Sequence, residues 1–197
     1  MYLPALRYLA TEFSLNTPHP QKDTLDYMFV QCTKTEWVNM AIALDAARYG
    51  HNNANLLGGM YAWLDFGIRH MFPSDMAMAK AIYTLRDRVA TSCWDRSRVY
   101  APSCWDPNIV YPQNIFREIY WIFSGSAFGG SPCAVAEFAR RTKQKCIVLL
   151  TTKHSLMWEV NVWALIYRDC PELFSLFYGN HNSGILDNWL ADDSLSI

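Results

Sequence analysis

The stretch Phe128-Gly129-Gly130-Ser131-Pro132 constrains this chain more than any other, because a glycine pair ends an aromatic run and leads directly into an amphipathic pattern. Upstream, Ile119 to Phe123 reads as a buried strand; downstream, Val135, Phe138, Ala139 and Cys146 recur at helical spacing. The segment is therefore expected to be a strand-to-helix junction. Ser131 is a good N-cap, and Pro132 suits the first helical position, where its missing N–H would have no intrahelical partner. Glycines without Cβ let backbone approach a ligand, and a helix start offers free N–H groups and the positive end of a dipole. One reading is the floor of a site for a polar or anionic substrate. An ordinary tight turn with a capped helix accounts for the same residues equally well.

A chain of 197 residues with 51% hydrophobic and 15% aromatic residues is long and apolar enough to bury one sizeable core, so a single domain over 1–197 is expected. A net charge of -1 and the lack of a basic stripe argue against general nucleic-acid binding. The apolar runs Cys146 to Leu150 and Ile119 to Phe123 are too short to cross a bilayer, and Met1 to Leu15 lacks the pattern of a signal peptide. The expectation is a cytoplasmic protein with reduced thiols, alone or within a larger assembly. Cys32, Cys133, Cys146 and Cys170 read as buried thiols. Cys93 and Cys104 belong to a duplicated Ser-Cys-Trp-Asp at 92–95 and 103–106, read as two similar turns with Trp anchored in the core and Asp bonding its own backbone rather than as a metal site.

In chain order, 1–24 reads as a cap or interface segment with a short helix over Pro4 to Phe13. Asp26 to Gln31 reads as extended. Thr33-Lys34-Thr35-Glu36 then has the form of a capping box, with Trp37, Met40, Ala41 and Leu44 on one helical face and Gly50 as the stop. After a loop at 51–59, Tyr61 to Leu64 is strand-like and Asp65 falls at its end, where a carboxylate can meet a metal or a sugar hydroxyl or simply cap the next turn. Ser74 opens a helix to Val89 with Met78, Ile82, Leu85 and Val89 on one face. Residues 91–114 read as one long binding loop. A helix from Pro132 runs towards Leu150; Ser155 is expected to cap a further helix, Leu156 to Arg168, whose stripe is Leu156, Val160, Trp163 and Tyr167. Glu159 lies at the edge of that stripe, where it needs a partner or a cleft, or simply adds favourable charge to a helix's first turn. His181 closes Gly179-Asn180-His181-Asn182 ahead of a polar tail; metal or phosphate binding and an ordinary loop role are both open to it.

The order of these motifs resembles the HtrL/YibB family, also described as WlaTC/HtrL-type glycosyltransferases. The resembling residues are Trp63-Leu64-Asp65-Phe66-Gly67-Ile68, Pro102-Ser103-Cys104-Trp105-Asp106-Pro107, Phe128-Gly129-Gly130, Leu156-Met157-Trp158-Glu159-Val160-Asn161 and Gly179-Asn180-His181-Asn182, spread over roughly residues 25 to 190. The order is also similar to that of the ABO blood-group type of glycosyltransferase. The resemblance implies an α/β, GT-A-like nucleotide-sugar-binding sandwich. The family layout begins with a strand and helix that help hold the nucleotide base, and the chain opens near the middle of that layout, which implies that part of the N-terminal nucleotide-binding unit is lacking.

The implied function is transfer of a sugar from a nucleotide sugar to a hydroxyl of a glycan acceptor. Glu159 is the implied catalytic carboxylate at the reacting carbon. Asp65, Gly67, Lys34, Gly129, Gly130 and Ser131 are expected on the donor, and Trp158, Asn161 and His181 on the acceptor or phosphates. Gly67 stands where the second Asp of Asp-x-Asp stands, which leaves Asp65 and His181 as the expected protein ligands of Mn or Mg. The alternative is a catalytically inactive structural or interaction protein, in a viral or surface assembly, on a truncated scaffold of this kind. The 8 Trp, 11 Tyr and 10 Phe would then cover a protein partner or a second copy.

Overall fold

The longest element starts earlier than the sequence suggests. In the computed structural model, which describes residues 3–11, 17, 19–50, 58–108 and 115–191, Thr24 caps helix α1 (Leu25–Tyr49) by accepting from the Tyr27 N–H. Asp26 to Gln31 is thus helical rather than extended, and Thr33 to Glu36 lies in mid-helix. Thr33 bonds back to the Phe29 carbonyl, and Glu36 instead receives the Leu3 N–H and the Lys143 ammonium. Gly50 ends α1 at φ 80, as its residue type allows. The face that packs is Cys32, Thr35, Val38 and Ala46; Met40 and Leu44 are exposed. Leu25, Met28 and Phe29 continue this face, and Thr33, Lys34 and Thr35 are buried beside it.

Four strands form one mixed sheet: β1 (Tyr61–Leu64), β2 (Val99–Ser103), β3 (Ala127–Gly130) and β4 (Phe174–Tyr178), in the order β1-β3-β2-β4. β3 is antiparallel to both neighbours and β2 is parallel to β4, so β1, β2 and β4 all run the same way. β2 passes through the segment read as a long loop at 91–114. Ile119 to Phe123 is not a strand. Tyr120, Ile122 and Phe123 are buried and Ile119 and Trp121 partly so, but the Trp121 carbonyl serves the N–H groups of Cys104 and Trp105 off the end of β2, and no regular ladder forms.

Side chains alternate across the sheet as period 2 requires. Tyr61, Trp63, Val99, Ala101, Phe128 and Phe174 face the larger core, under α1, α3 (Pro132–Lys153) and α4 (Glu159–Asp169). Leu64, Tyr100, Ala127 and Phe177 face the smaller one, under α2 (Asp75–Thr91) and the short α5 (Gly184–Asp187). The molecule is an α/β protein with a small four-stranded sheet between helices. Phe128, Phe138, Trp163 and Phe174 meet edge to face at 5.2 to 5.4 Å in the larger core, and burial of each large apolar side chain contributes about 1.5–3 kcal/mol.

The helix expectations divide. Ser74 caps α2, and Leu85 is buried, but Ile82 faces solvent. Ser131 and Pro132 open α3 as predicted. Ser155 caps nothing: α4 begins at Glu159 after Trp158, and Leu156 is buried ahead of the helix. The expected polar tail after Asn182 instead contributes Ile185, Leu186 and Trp189 to the smaller core. The N-terminal turn is a 3-10 helix, Leu3–Leu9. Both Ser-Cys-Trp-Asp copies make the expected Asp turn, Asp95 accepting from Ser97 and Asp106 from Asn108, yet only Trp94 is buried and Trp105 is partly exposed. Cys32, Cys146 and Cys170 are buried, Cys133 is exposed, and all six thiols are free. The loop at 51–57, residues 109–114 of the predicted long loop and the tail at 192–197 lie outside the described residues. No helix among the described residues is long and apolar enough to cross a membrane.

Candidate functional site

Because β1, β2 and β4 are parallel, their carboxyl ends share one edge of the sheet, and β3 starts at that edge. Asp65, which follows β1, is held there by its N–H on the Ser126 carbonyl at 2.8 Å. α1 crosses the same edge and brings Lys34 to it; α4 begins nearby and brings Glu159. The Lys34 ammonium donates to Asp65 Oδ2 at 3.0 Å, to Glu159 Oε1 at 3.0 Å and to the Gly125 carbonyl at 3.1 Å. An ammonium has three hydrogens, and all three are engaged. The side chains of Lys34 and Glu159 are 4% and 9% exposed, whereas that of Asp65 is 32% exposed. Burial on its own would lower the Lys34 pKa, but the carboxylates of Glu159 and Asp65 outweigh it and hold the group above the ordinary lysine value. Lys34 is therefore a fixed cation, not a nucleophilic amine.

Asp65 is fixed on its other oxygen as well. The Trp63 indole N–H donates to Oδ1 at 2.5 Å, and Trp63 stacks on Trp37 of α1 with centroids 5.5 Å apart. Gly125 completes the site. It sits at φ 72, and a Cβ there would lie 2.9 Å from Glu159 Oε1 and 2.8 Å from Val160 Cγ1. Ser124 and Ser126 flank it, both buried, with their hydroxyls 2.7 Å apart. Tyr27, two turns before Lys34 on the same face of α1, is close enough that, after burial, the Glu159 carboxylate is the main cause raising its pKa.

The structure thus brings Lys34, Asp65 and Glu159 into one cluster. It places Gly129, Gly130 and Ser131 away from it. β3 runs against β1, with Leu64 opposite Ala127 and Tyr61 opposite Gly130. Gly129, Gly130 and Ser131 consequently lie towards the opposite edge of the sheet, roughly 10 Å along the strand at 3.3 Å per residue. Their smallness serves the sheet: a Cβ on Gly129 would lie 2.8 Å from the Tyr61 carbonyl oxygen, and one on Gly130 would lie 2.8 Å from that of Arg98. Ser131 spends its hydroxyl on the Arg96 carbonyl and the Ala134 N–H. The glycine that meets the charged cluster is Gly125, five residues before Gly130. Ser-Gly-Ser just ahead of an aromatic strand was the available signal for it.

Gly67 lies in a 3-10 turn, Phe66–Met71, with open space around its Cα. Asn161 is fully buried and structural: its amide donates to the carbonyls of Ile115 and Glu118 and its Oδ1 accepts from the Tyr120 N–H. Trp158 is 4% exposed, so neither residue presents a surface to an acceptor. His181 is at the carboxyl end of β4, at φ 47, with its ring edge to face on Trp121 at 5.0 Å. Burial, with a smaller effect of His70, pushes its pKa below the ordinary value. Asp65 Oδ1 and Oδ2 each accept one hydrogen bond, and no group of three His, Cys, Asp or Glu able to hold a metal ion is found among the described residues.

Chemically, the arrangement offers one partly exposed carboxylate of fixed orientation, a second carboxylate behind it and an ammonium joining the two. It lies outside the carboxyl ends of parallel strands, where open α/β sheets take ligands. Comparison of the chain with family models, with characterised proteins and with solved structures finds no match.

Proposed function

We propose that this protein is glycosyltransferase-like, on a GT-A-type sandwich, and moves a sugar from a nucleotide-sugar donor to an acceptor hydroxyl. The observation that carries the reading is the convergence of Asp65 and Glu159 on the Lys34 ammonium at the carboxyl edge of the sheet. These are two of the carboxylates that the motif order singles out, although 94 positions separate them in the sequence. In transfer, the bond from the anomeric carbon to the diphosphate oxygen breaks and one to the acceptor oxygen forms. The acceptor proton leaves to a base, and positive charge builds at the anomeric carbon. A carboxylate in a water-poor pocket stabilises that charge, and one can take the proton. Asp65, the more exposed of the two, is the one a ligand reaches first; Glu159 sets the position and charge of Lys34 behind it.

The test is sugar transfer or donor hydrolysis by the purified chain over a panel of nucleotide sugars, with thermal shift as the binding readout. Stabilisation at saturating donor, with turnover lost in Asp65→Asn and reduced in Glu159→Gln, is expected. Turnover that survives both substitutions unchanged sinks the reading.

A second reading, a catalytically inactive interaction protein on the same scaffold, is favoured by the exposed apolar side chains Met40, Leu44 and Tyr49 along α1. A monomer at all concentrations, with turnover, decides against it.

A further inference from the structure

We propose that the cleft between α3 and α4 is a binding site for a small organic carboxylate, with the carboxylate on the Arg141 guanidinium and the apolar body along Val148 and Ile166. The proposal is independent of the transferase reading. Asp169, on the wall of the cleft, lies ten residues beyond Glu159 on α4, about 15 Å along the helix at 1.5 Å per residue. The cleft is therefore apart from the charged cluster at the sheet edge.

The cleft has a volume of about 220 Å³ and is lined by Arg141, Gln144, Lys145 and Val148 of α3 and by Ile166 and Asp169 of α4. The α3 residues recur at i, i+3, i+4 and i+7, so they form one stripe of that helix. Charge decides the ligand class. Arg141 and Lys145 stand against a single lining carboxylate, Asp169, while the neighbours Arg140 and Arg168 are balanced by Glu137 and Glu172. Asp169 is engaged on both oxygens, Oδ2 accepting from Lys145 at 2.6 Å and Oδ1 from Arg168 at 3.2 Å. The unspent groups are donors. Arg141 Nε donates to Glu137 at 2.6 Å, whereas neither Nη1 nor Nη2 donates to any of the described residues. Lys145 spends only part of its ammonium on Asp169, and Gln144 accepts from Arg140 on Oε1 at 2.8 Å while its amide nitrogen donates to none of the described residues. A guanidinium fork open on both Nη atoms matches the paired oxygens of a carboxylate. A single positive charge in excess suits a monoanion better than a phosphate dianion.

Size and polarity define the rest of the ligand. Ile166, 2% exposed, and Val148, 52% exposed, give the cleft an apolar surface beside its donors. A cavity of about 150 Å³ accommodates a benzene ring, so 220 Å³ takes a body of that size together with a carboxyl group. Sites for drug-sized ligands start at about 300 Å³, which excludes a nucleotide sugar from this place.

The experiment titrates the full chain with benzoate and hexanoate at constant ionic strength, up to about 50 mM as befits millimolar affinity, read by saturation-transfer NMR and calorimetry. Expected are saturable binding of at least one of the two, and binding of neutral benzamide at least about tenfold weaker than that of benzoate. Arg141→Lys keeps the charge but loses the fork and should weaken binding about fivefold to tenfold; Val148→Asp places a like charge beside the ligand and should abolish it. Val148 is exposed and the Arg141–Glu137 pair lies at the surface, where such pairs contribute little to stability, so both variants are expected to fold. Asp65→Asn, at the sheet edge, should leave benzoate binding unchanged. No saturable binding of either carboxylate overturns the proposal, and so does binding unchanged in both cleft variants or lost in Asp65→Asn. Inorganic phosphate that displaces benzoate at equal concentration also overturns it, because the cleft would then be an unselective anion patch.

Discussion

Lys34 and Glu159, 125 residues apart in the chain, meet at 3.0 Å with less than a tenth of either side chain exposed. Water cannot replace either partner. Lys34→Met therefore strands a buried carboxylate, and removal of one partner from such a pair typically costs about 3–5 kcal/mol. Replacement of both partners by apolar side chains removes the desolvation penalty together with the attraction, so Lys34→Met combined with Glu159→Leu is expected to lose clearly less than the sum of the single variants. Urea midpoints of the four proteins in the cycle measure this coupling. Additive losses would show that the pair does not interact in solution.

The sequence shows some of this and conceals the rest for identifiable reasons. Asp65 is legible because a short β-run ends on it, and Glu159 because it lies at the edge of an apolar stripe. The Ser131-Pro132 helix start is legible from local capping chemistry alone. What fails is anything set by tertiary position. Thr33 to Glu36 has the form of a capping box, but its side chains find better partners in Phe29, Leu3 and Lys143, and the helix starts instead at Thr24. Ile119 to Phe123 is apolar enough for a strand, yet burial without a neighbouring ladder gives an irregular segment. The glycine pair at Gly129 and Gly130 attracts a ligand reading because sequence does not reveal that β3 runs against its neighbours, which carries the pair to the far edge.

Gly125 is expected to be intolerant of any side chain. Its φ of 72 is strained for other residues, and a Cβ would press on Glu159 Oε1 and Val160 Cγ1. Gly125→Ala should cost at least about 2 kcal/mol from backbone strain and overpacking together. Gly67→Ala, with open space around it, should cost far less. Thermal midpoints compare the two. Equal midpoints would mean that the Ser124–Ser126 turn can move aside.

Trp63 is expected to act on Asp65 through one hydrogen bond. Trp63→Phe keeps an aromatic ring against Trp37 but removes the N–H that Oδ1 accepts. Since Asp65 is partly exposed, water takes up the vacated position and the loss should be about 1 kcal/mol. Trp63→Ala removes the stack as well and should cost clearly more. Denaturant unfolding followed by far-ultraviolet dichroism measures both. If Trp63→Phe is as damaging as Trp63→Ala, the hydrogen bond and not the packing carries the contribution.

His181 gives the fold a pH dependence whose sign is fixed by its environment. Its pKa in the folded chain lies below the ordinary value, first because it is partly buried and then because His70 is near. In the unfolded chain it titrates near about 6.5. Above that value the ring is neutral in both states and its contribution is fully present. Below it the unfolded chain takes up a proton that the folded chain resists, so stability falls with pH until the folded-state pKa is passed. His181→Gln should therefore flatten the decline in melting temperature between about pH 7 and pH 5. NMR of the imidazole C–H resonances follows the same event directly. A His181 midpoint at or above the ordinary histidine value of about 6.5 would reverse the sign of the argument.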